Sequence, residues 1–448
     1  MQQTTTRPTV LIFVVFMLLS TTTSAQQKTR DEKVREDRRN VTAAGFWIYN
    51  DLEDGFRRAK LSGKPILVVL RCIPCEECVK LDDDLVDQDP VLRPLLNQFV
   101  CVRIVSTNGL DLSLFQFDTD QSFAVFMLNA DRTIYGRFGT RSHRTEWVGD
   151  VSLEGLARAL EGALELHARW PESRESLRAK TGPAPLFSTP EKFPTLRERY
   201  TGELDYSGQV AKSCIHCHQI GDAIRDHYRS GSQAVPDDII SPYPHPKSIG
   251  MILNPDQRAE LRQVTPDSPA AIAGLQEGDQ LLTMNDQPLL STADIQWVLN
   301  SVPAAGGTVQ IVVSRNGTPV TLNLTLQNRW RELDQIDWRV SAWGLSRMVL
   351  GGLRLENVAS EERGVNGIPT VGTALRVRYV GQYNEHAAAK NSGFRKGDII
   401  VTFDGKKDLL SESDVLRYGA TQLKPGTSIP IEILRENSLT TLRLPQQK

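Results

Sequence analysis

Apolar and polar positions alternate along this chain in two registers, and the changes of register mark its units. Ile48, Leu52, Phe56 and Ala59 recur at helical spacing, and Ile66 to Leu70 is an unbroken apolar run of the kind a strand covered on both faces requires. Val100 to Val105, Phe123 to Leu128 and Ile134 to Phe138 read as three further short strands, and Val151 to His167 returns to one-sided helical spacing. This order predicts an α/β unit over residues 44–169. Ahead of it, the charged run from Lys28 to Asn40 predicts a mobile linker within 26–43. Behind it, Pro171, Pro183, Pro185, Pro190 and Pro194 break every period, which predicts a linker over 170–204.

The C-terminal half repeats itself. Ala273-Gly274-Leu275-Gln276-Glu277-Gly278-Asp279 returns as Ser392-Gly393-Phe394-Arg395-Lys396-Gly397-Asp398. Each copy is followed by a strand (Gln280 to Met284; Ile399 to Phe403), a turn begun by Asn285 or Asp404, a helix (Ser291 to Leu299; Ser411 to Tyr418) and two strands ending at Leu326 and Leu444. Two compact, mostly-β units are expected, over 245–328 and 347–448. Trp330, Trp338 and Trp343 lie between them in a connector over 329–346, where they read as packing residues. Residues 205–244 are left for a short segment with one helix from Ile220 to Tyr228.

Composition changes this picture little. A chain of 448 residues, 40% hydrophobic and 24% charged, is ordinary for soluble protein of about three domains. A net charge of -2 with no basic stripe excludes nucleic acid as the main partner. The N-terminus carries Arg7, an apolar stretch from Val10 to Leu19 and then Thr23-Ser24-Ala25, which reads as a signal peptide over 1–25 cleaved before Gln26. The mature protein is expected to be exported, periplasmic or secreted, with no transmembrane segment after signal removal, because a span needs about 20 apolar residues.

Cysteine carries the candidate chemistry. Cys75-Glu-Glu-Cys78 opens a helix directly after the first buried strand, where unpaired backbone N–H groups favour thiolate. Helix, strand, Cys-x-x-Cys, helix and further strands, with Trp47 near the start and Lys64-Pro65 before the strand, resemble the short exported thioredoxin-like proteins. Lys80-Leu81 and Asp89-Pro90-Val91 extend the match. The resemblance implies Cys75 as the attacking thiol and Cys78 as the resolver. The chain departs from that family at Cys72, a third thiol, and at Ser122, where thioredoxins keep a cis-proline. Cys72, Cys75 and Cys78 also begin an iron–sulfur type run, but Asp82 stands at the fourth position, and a soft metal such as copper is the other reading. Cys101, inside an apolar strand, reads as a core thiol.

Cys214, Cys217 and His218 form a Cys-x-x-Cys-His signature, which reads as covalent attachment of haem c; a zinc site or a disulfide is the alternative. His218 would bind the iron, and His227 and His245 are the candidate sixth ligands. The surrounding 205–244 segment is too short for a complete cytochrome domain.

The repeated units resemble PDZ domains, which bind an extended peptide as an added strand and hold its terminal carboxylate on loop N–H groups. The resemblance implies that Ser248, Ile249, Gly250 and Met251 form that loop in the first copy, and Leu350, Gly351, Gly352 and Leu353 in the second. The whole order, joined by Asp337-Trp338-Arg339, resembles the thioredoxin/PDZ domain (seleno)proteins of planctomycete bacteria. The fold class expected is multidomain α/β plus mostly-β: a thioredoxin-like domain, a short haem-motif helical segment and two PDZ-like β-barrels. The function expected is an exported redox protein combining a thiol–disulfide site with electron transfer through haem, its PDZ domains docking redox partners, other proteins or peptide C-termini. The alternative is a non-catalytic PDZ scaffold with a degenerate thioredoxin-like domain. No Gly-x-Ser-x-Gly, trypsin-like serine motif or His-Glu-x-x-His is present, so a protease is not expected.

Overall fold

The computed structural model describes residues 28–71, 73, 89–141, 151–365 and 367–448. Cys72, Cys75, Cys78 and the expected signal peptide lie outside them. The N-terminal α/β unit is a five-stranded sheet in the order β1 (Ile48–Tyr49), β3 (Val100–Ile104), β2 (Ile66–Arg71), β4 (Gln121–Leu128) and β5 (Ile134–Arg141). β2 runs parallel to β3 and antiparallel to β4, so all six of its residues are buried at the centre of the sheet. The unbroken apolar run therefore meets the two-sided burial it implies. Helix α2 (Leu52–Ser62) covers one face through Phe56 and Ala59, and α3 (Leu92–Leu96) covers the other together with α4, which spans Leu153–Ala168.

Two expected linkers are ordered parts of this unit. Residues 30–44 form helix α1 (Arg30–Ala44), started by a capping box in which the Thr29 side chain and Glu32 satisfy each other's backbone N–H groups. Val34 and Val41 turn inward, and Asp37 pairs with the buried Arg71 and Arg103 at 3.3 and 3.5 Å. Two apolar positions among so many charges give no visible period, which is why the sequence reads as a linker. The proline-broken stretch after α4 is a strap. Phe193 and Leu196 plug the core above α2, and Lys180 is only 1% exposed.

The first repeat is a four-stranded sheet ordered β11 (Thr318–Leu326), β10 (Gly307–Arg315), β8 (Gln280–Met284) and β9 (Gln287–Pro288), with a separate hairpin of β6 (Met251–Leu253) and β7 (Leu261–Val264). The second is one five-stranded meander, β12 (Leu353–Asn357), β13 (Leu375–Val380), β14 (Ile399–Phe403), β15 (Ser428–Arg435) and β16 (Ser438–Pro445). Neither closes on itself, so the expected barrels are open sheets: β6 and β12 each have a strand partner on one side only. The Gly-Asp ending of the repeated motif has a shared cause. Asp279 takes a two-pronged bond from Arg315 at 2.7 and 2.8 Å, and Asp398 takes the same from Arg435 at 2.7 Å on each prong.

Helix α5 (Cys217–Ser230) follows the strap, and the repeats each carry one long helix, α6 (Thr292–Asn300) and α8 (Glu412–Gln422). A further helix, α7 (Ala342–Leu350), fills the end of the expected connector. Of its tryptophans, Trp330 is buried and donates to Pro303 O at 2.8 Å, while Trp343 is 41% exposed and stacks on His386.

The units are joined through buried charge. Lys180 of the strap bonds Asp294 of α6 at 2.8 Å with both side chains at or below 1% exposure. Arg339, fully buried, sits among Asp118, Asp120 and Asp334, which fastens the α/β unit to the second repeat.

Candidate functional site

A strand-addition site needs an edge strand with outward N–H and C=O groups beside a helix. In the first repeat that strand is β6. Thr265 N–H bonds Gly250 O at 3.0 Å and Asn254 N–H bonds Glu260 O at 2.8 Å, so the even-numbered residues face β7. Alternation then directs the backbone groups of Met251 and Leu253 to the open side. The loop ahead of β6 is a single 3-10 turn from Pro246 to Ile249, capped by Gly250 at φ +92°. The Gly250 N–H is shared between Lys247 O and Pro246 O, so the first outward donor of the edge is Met251 N–H. The side chains of Ile249 and Met251 are fully buried in the core of the repeat, so this loop offers a partner its backbone and not these side chains. A Cβ at Gly250 would lie 1.9 Å from Ser268 Oγ, so a bulky residue there strikes the protein itself.

The second repeat differs. Gly381 N–H bonds Gly352 O and Val358 N–H bonds Ala374 O, so the edge of β12 is formed by the groups of Leu353 and Leu355. Both are engaged. Ser346 of α7 donates to Leu353 O at 2.5 Å, and Leu355 N–H donates to the Glu412 carboxylate of α8. Gly351 and Gly352 both donate to Ser346 O, closing the C-terminus of α7. The expectation that Leu350, Gly351, Gly352 and Leu353 cradle a carboxylate is corrected at the two glycines, whose N–H groups cap a helix that the sequence did not reveal.

Burial outweighs the pull of Arg354, 3.1 Å away, and of the Leu355 N–H, and pushes the Glu412 carboxyl up to about 7 from 4.5. Between those values the folded chain keeps a proton that the unfolded chain releases, so this group's contribution to stability falls as pH rises from about 4.5 to about 7 and is level above. The change is on the order of 3 kcal/mol. Glu412→Gln should flatten that slope in denaturant titrations across this pH window.

The Cys-x-x-Cys-His residues lie at the start of α5. Cys217 is its first residue, and His218 lies 3.7 Å from Asp222, four residues on, and stacks on His216. His216 is held well below the usual imidazole range, at about 4, by burial and then by His218 and Arg30. Cys214 faces inward. Its thiol is 2% exposed, donates to Val210 O at 3.3 Å and is pushed up to about 11 by burial and then by Asp31 of α1. Helix α1 closes over this turn, with Asp31 accepting from Ala211 N–H at 2.7 Å and Arg35 donating to Gly208 O at the same distance. Thioether attachment requires both sulfurs at one macrocycle edge. As placed, the residues do not fit a covalently held haem, because Cys214 is turned away beneath α1. Of the expected sixth ligands, His227 lies edge-on to Phe187, and His245 accepts from Lys247 N–H at 3.2 Å. Among the described residues no three His, Cys, Asp or Glu side chains gather as a metal site. At pH 8 a thiol with a pKa of about 11 is ionised in about one molecule in a thousand. Cys214 should accordingly alkylate at least roughly tenfold more slowly in the folded protein than in urea, as read by mass spectrometry.

Comparison with known proteins assigns the two kinds of unit. Residues 47–130 match the thioredoxin-like family model, and residues 248–326 match the PDZ domain model. The chain thus combines a thioredoxin-like domain with a PDZ domain, and the second repeat has the same succession of strands and helix. A probable periplasmic serine endoprotease DegP-like from Marinomonas sp. (strain MWYL1) is 25% identical over 178 residues, 40% of this chain and 35% of that protein. The periplasmic serine endoprotease DegP of Salmonella typhimurium is 26% identical over 151 residues, 34% of this chain and 27% of that protein. The chain thus spans about a third of the length of these curated relatives. Among solved structures, an HtrA-type protease AlgW with decapeptide has 17% identity over 32% of this chain and 41% of that chain, with a TM-score of 0.20. The curated relatives are named serine endoproteases, which contradicts the expectation that the chain is not a protease. No helix among the described residues is long and apolar enough to cross a membrane.

Proposed function

We propose that this chain is an exported PDZ scaffold protein whose first PDZ domain takes the C-terminal segment of a partner protein as an added strand on β6. The observation that carries this reading is the open edge at Met251 and Leu253, with Met251 N–H as its first outward donor. The periplasmic relatives support export. The thioredoxin-like domain serves here as the body to which the PDZ domain is fixed: Ser152 donates to Pro255 O at 3.0 Å and Ser291 to Arg137 O at 2.5 Å.

Binding of full-length protein to peptides with free and amidated C-termini is the test. Charge-assisted bonds to a carboxylate contribute about 1.5–3 kcal/mol, so free peptides should bind roughly tenfold to a hundredfold more tightly. Equal binding of both forms, or of neither, would remove carboxylate recognition.

A further inference from the structure

We propose that the second PDZ-like unit is held closed by its own chain: the segment from Ile336 to Leu350 occupies the cleft between β12 and α8, and this unit takes no peptide while the segment is seated.

The segment touches both walls along its length. At its start, Ile336 and Asp337 donate their N–H groups to Ser413 Oγ at 2.9 and 3.1 Å, and Asp337 O accepts from Arg354 of β12 at 2.6 Å. Farther on, Ser346 reaches Leu353 O of β12, and Val349 lies against Gly419 of α8. A Cβ at Gly419 would come within 2.1 Å of Val349 Cγ1, so glycine permits the close approach. Ala342, Leu345, Met348, Val349 and Leu350 share one buried core with Leu353, Leu355, Val415, Leu416 and Ala420. The segment advances from the N-terminal end of α8 toward the Gly351-Gly352 loop, as a C-terminal peptide bound in such a cleft would. Glu412 supplies the Leu355 N–H with the acceptor that a peptide carbonyl would otherwise provide.

In the first repeat the chain ahead of β6 also bonds its helix, Tyr243 N–H donating to Asn300 of α6 at 2.9 Å and Gln296 donating to Tyr243 O at 3.0 Å, but among the described residues no side chain bonds the outward groups of Met251 and Leu253 as Ser346 and Glu412 bond those of β12. The two repeats therefore have different roles: one edge is open to a partner and the other is filled. The closure holds whether or not the first repeat takes a peptide.

Residue-resolved amide exchange on the full chain without ligand tests this directly. The Leu355 N–H should exchange roughly tenfold more slowly than the Leu253 N–H, the factor expected for one internal hydrogen bond of about 1.5 kcal/mol. Equal rates would overturn the proposal. Glu412→Gln keeps an acceptor and should retain the protection, whereas Glu412→Ala should bring Leu355 to the Leu253 rate. Should the alanine variant fail to fold, the wild-type comparison still decides. With saturating C-terminal peptide, new protection at Met251 and Leu253, and none at β12, is the expected result. New protection at β12 would overturn the closure, while none at Leu253 would instead count against peptide capture by the first repeat.

Discussion

Replacing Arg339 by Met should cost the folded chain about 3–5 kcal/mol, the usual consequence of removing one partner from a buried ionic cluster. The guanidinium has no solvent exposure and lies 2.9 Å from Asp118, 3.2 Å from Asp120 and 3.6 Å from Asp334, while its other arm donates to Pro242 O at 2.5 Å. Without it, these carboxylates face one another in the interior. Burial pushes Asp120 upward, yet Arg339 and Arg225 outweigh that and hold it below the ordinary carboxylate range. Its lowered value stabilises the fold above that range, and the contribution is lost as pH falls through the folded value. The Met variant reverses the sign, because burial then dominates, so its deficit should shrink on acidification. Denaturant unfolding at neutral pH and near pH 4 is the measurement. A loss below about 1 kcal/mol would mean that the cluster does not hold the units together. Arg339→Lys, keeping charge without the planar fork, should recover only part of the loss.

The second large effect is expected at the other junction. Lys180→Met should cost about 3–5 kcal/mol by leaving Asp294 charged and buried. Asp294 also accepts from Arg137 N–H at 3.2 Å and Leu290 N–H at 3.0 Å, so its carboxylate organises the seam between β5 and α6. Burial lowers the Lys180 ammonium against the opposing pull of Asp294. Adding Asp294→Asn to Lys180→Met keeps an acceptor for those two N–H groups and removes the stranded charge. The double variant should therefore regain much of the loss, with a coupling of about 1–3 kcal/mol in a double-mutant cycle. Simple addition of the two single effects would contradict the pairing.

Both junctions show where sequence reading runs out. The central sheet was legible because β2 is apolar from Ile66 to Leu70, and the repeats were legible because Gly274-Leu275 and Gly393-Phe394 sit in the same seven-residue frame. Asp118 and Arg339 gave no signal, since each is an ordinary charge until the fold brings two distant stretches together and buries them. Asp337-Trp338-Arg339 stood out as a motif, but nothing local pointed to its acidic partners. Helix α7 was missed for a related reason: Trp343 and Gly351 suggested a packed connector and a loop, whereas Ser346 and Val349 become meaningful only against Leu353 and Gly419. The helix over Ile220 to Tyr228 was legible, although it starts earlier, at Cys217, but local spacing says nothing of α1, which closes over Cys214 from about 180 residues upstream.

The most direct test of peptide capture by β6 is backbone-resolved nuclear magnetic resonance of the full chain during titration with a C-terminal peptide. The Met251 and Leu253 amides should shift and become protected from exchange as the peptide saturates, and should do neither with the amidated form. Binding that leaves both amides unchanged, with the shifts located elsewhere on the chain, would contradict it.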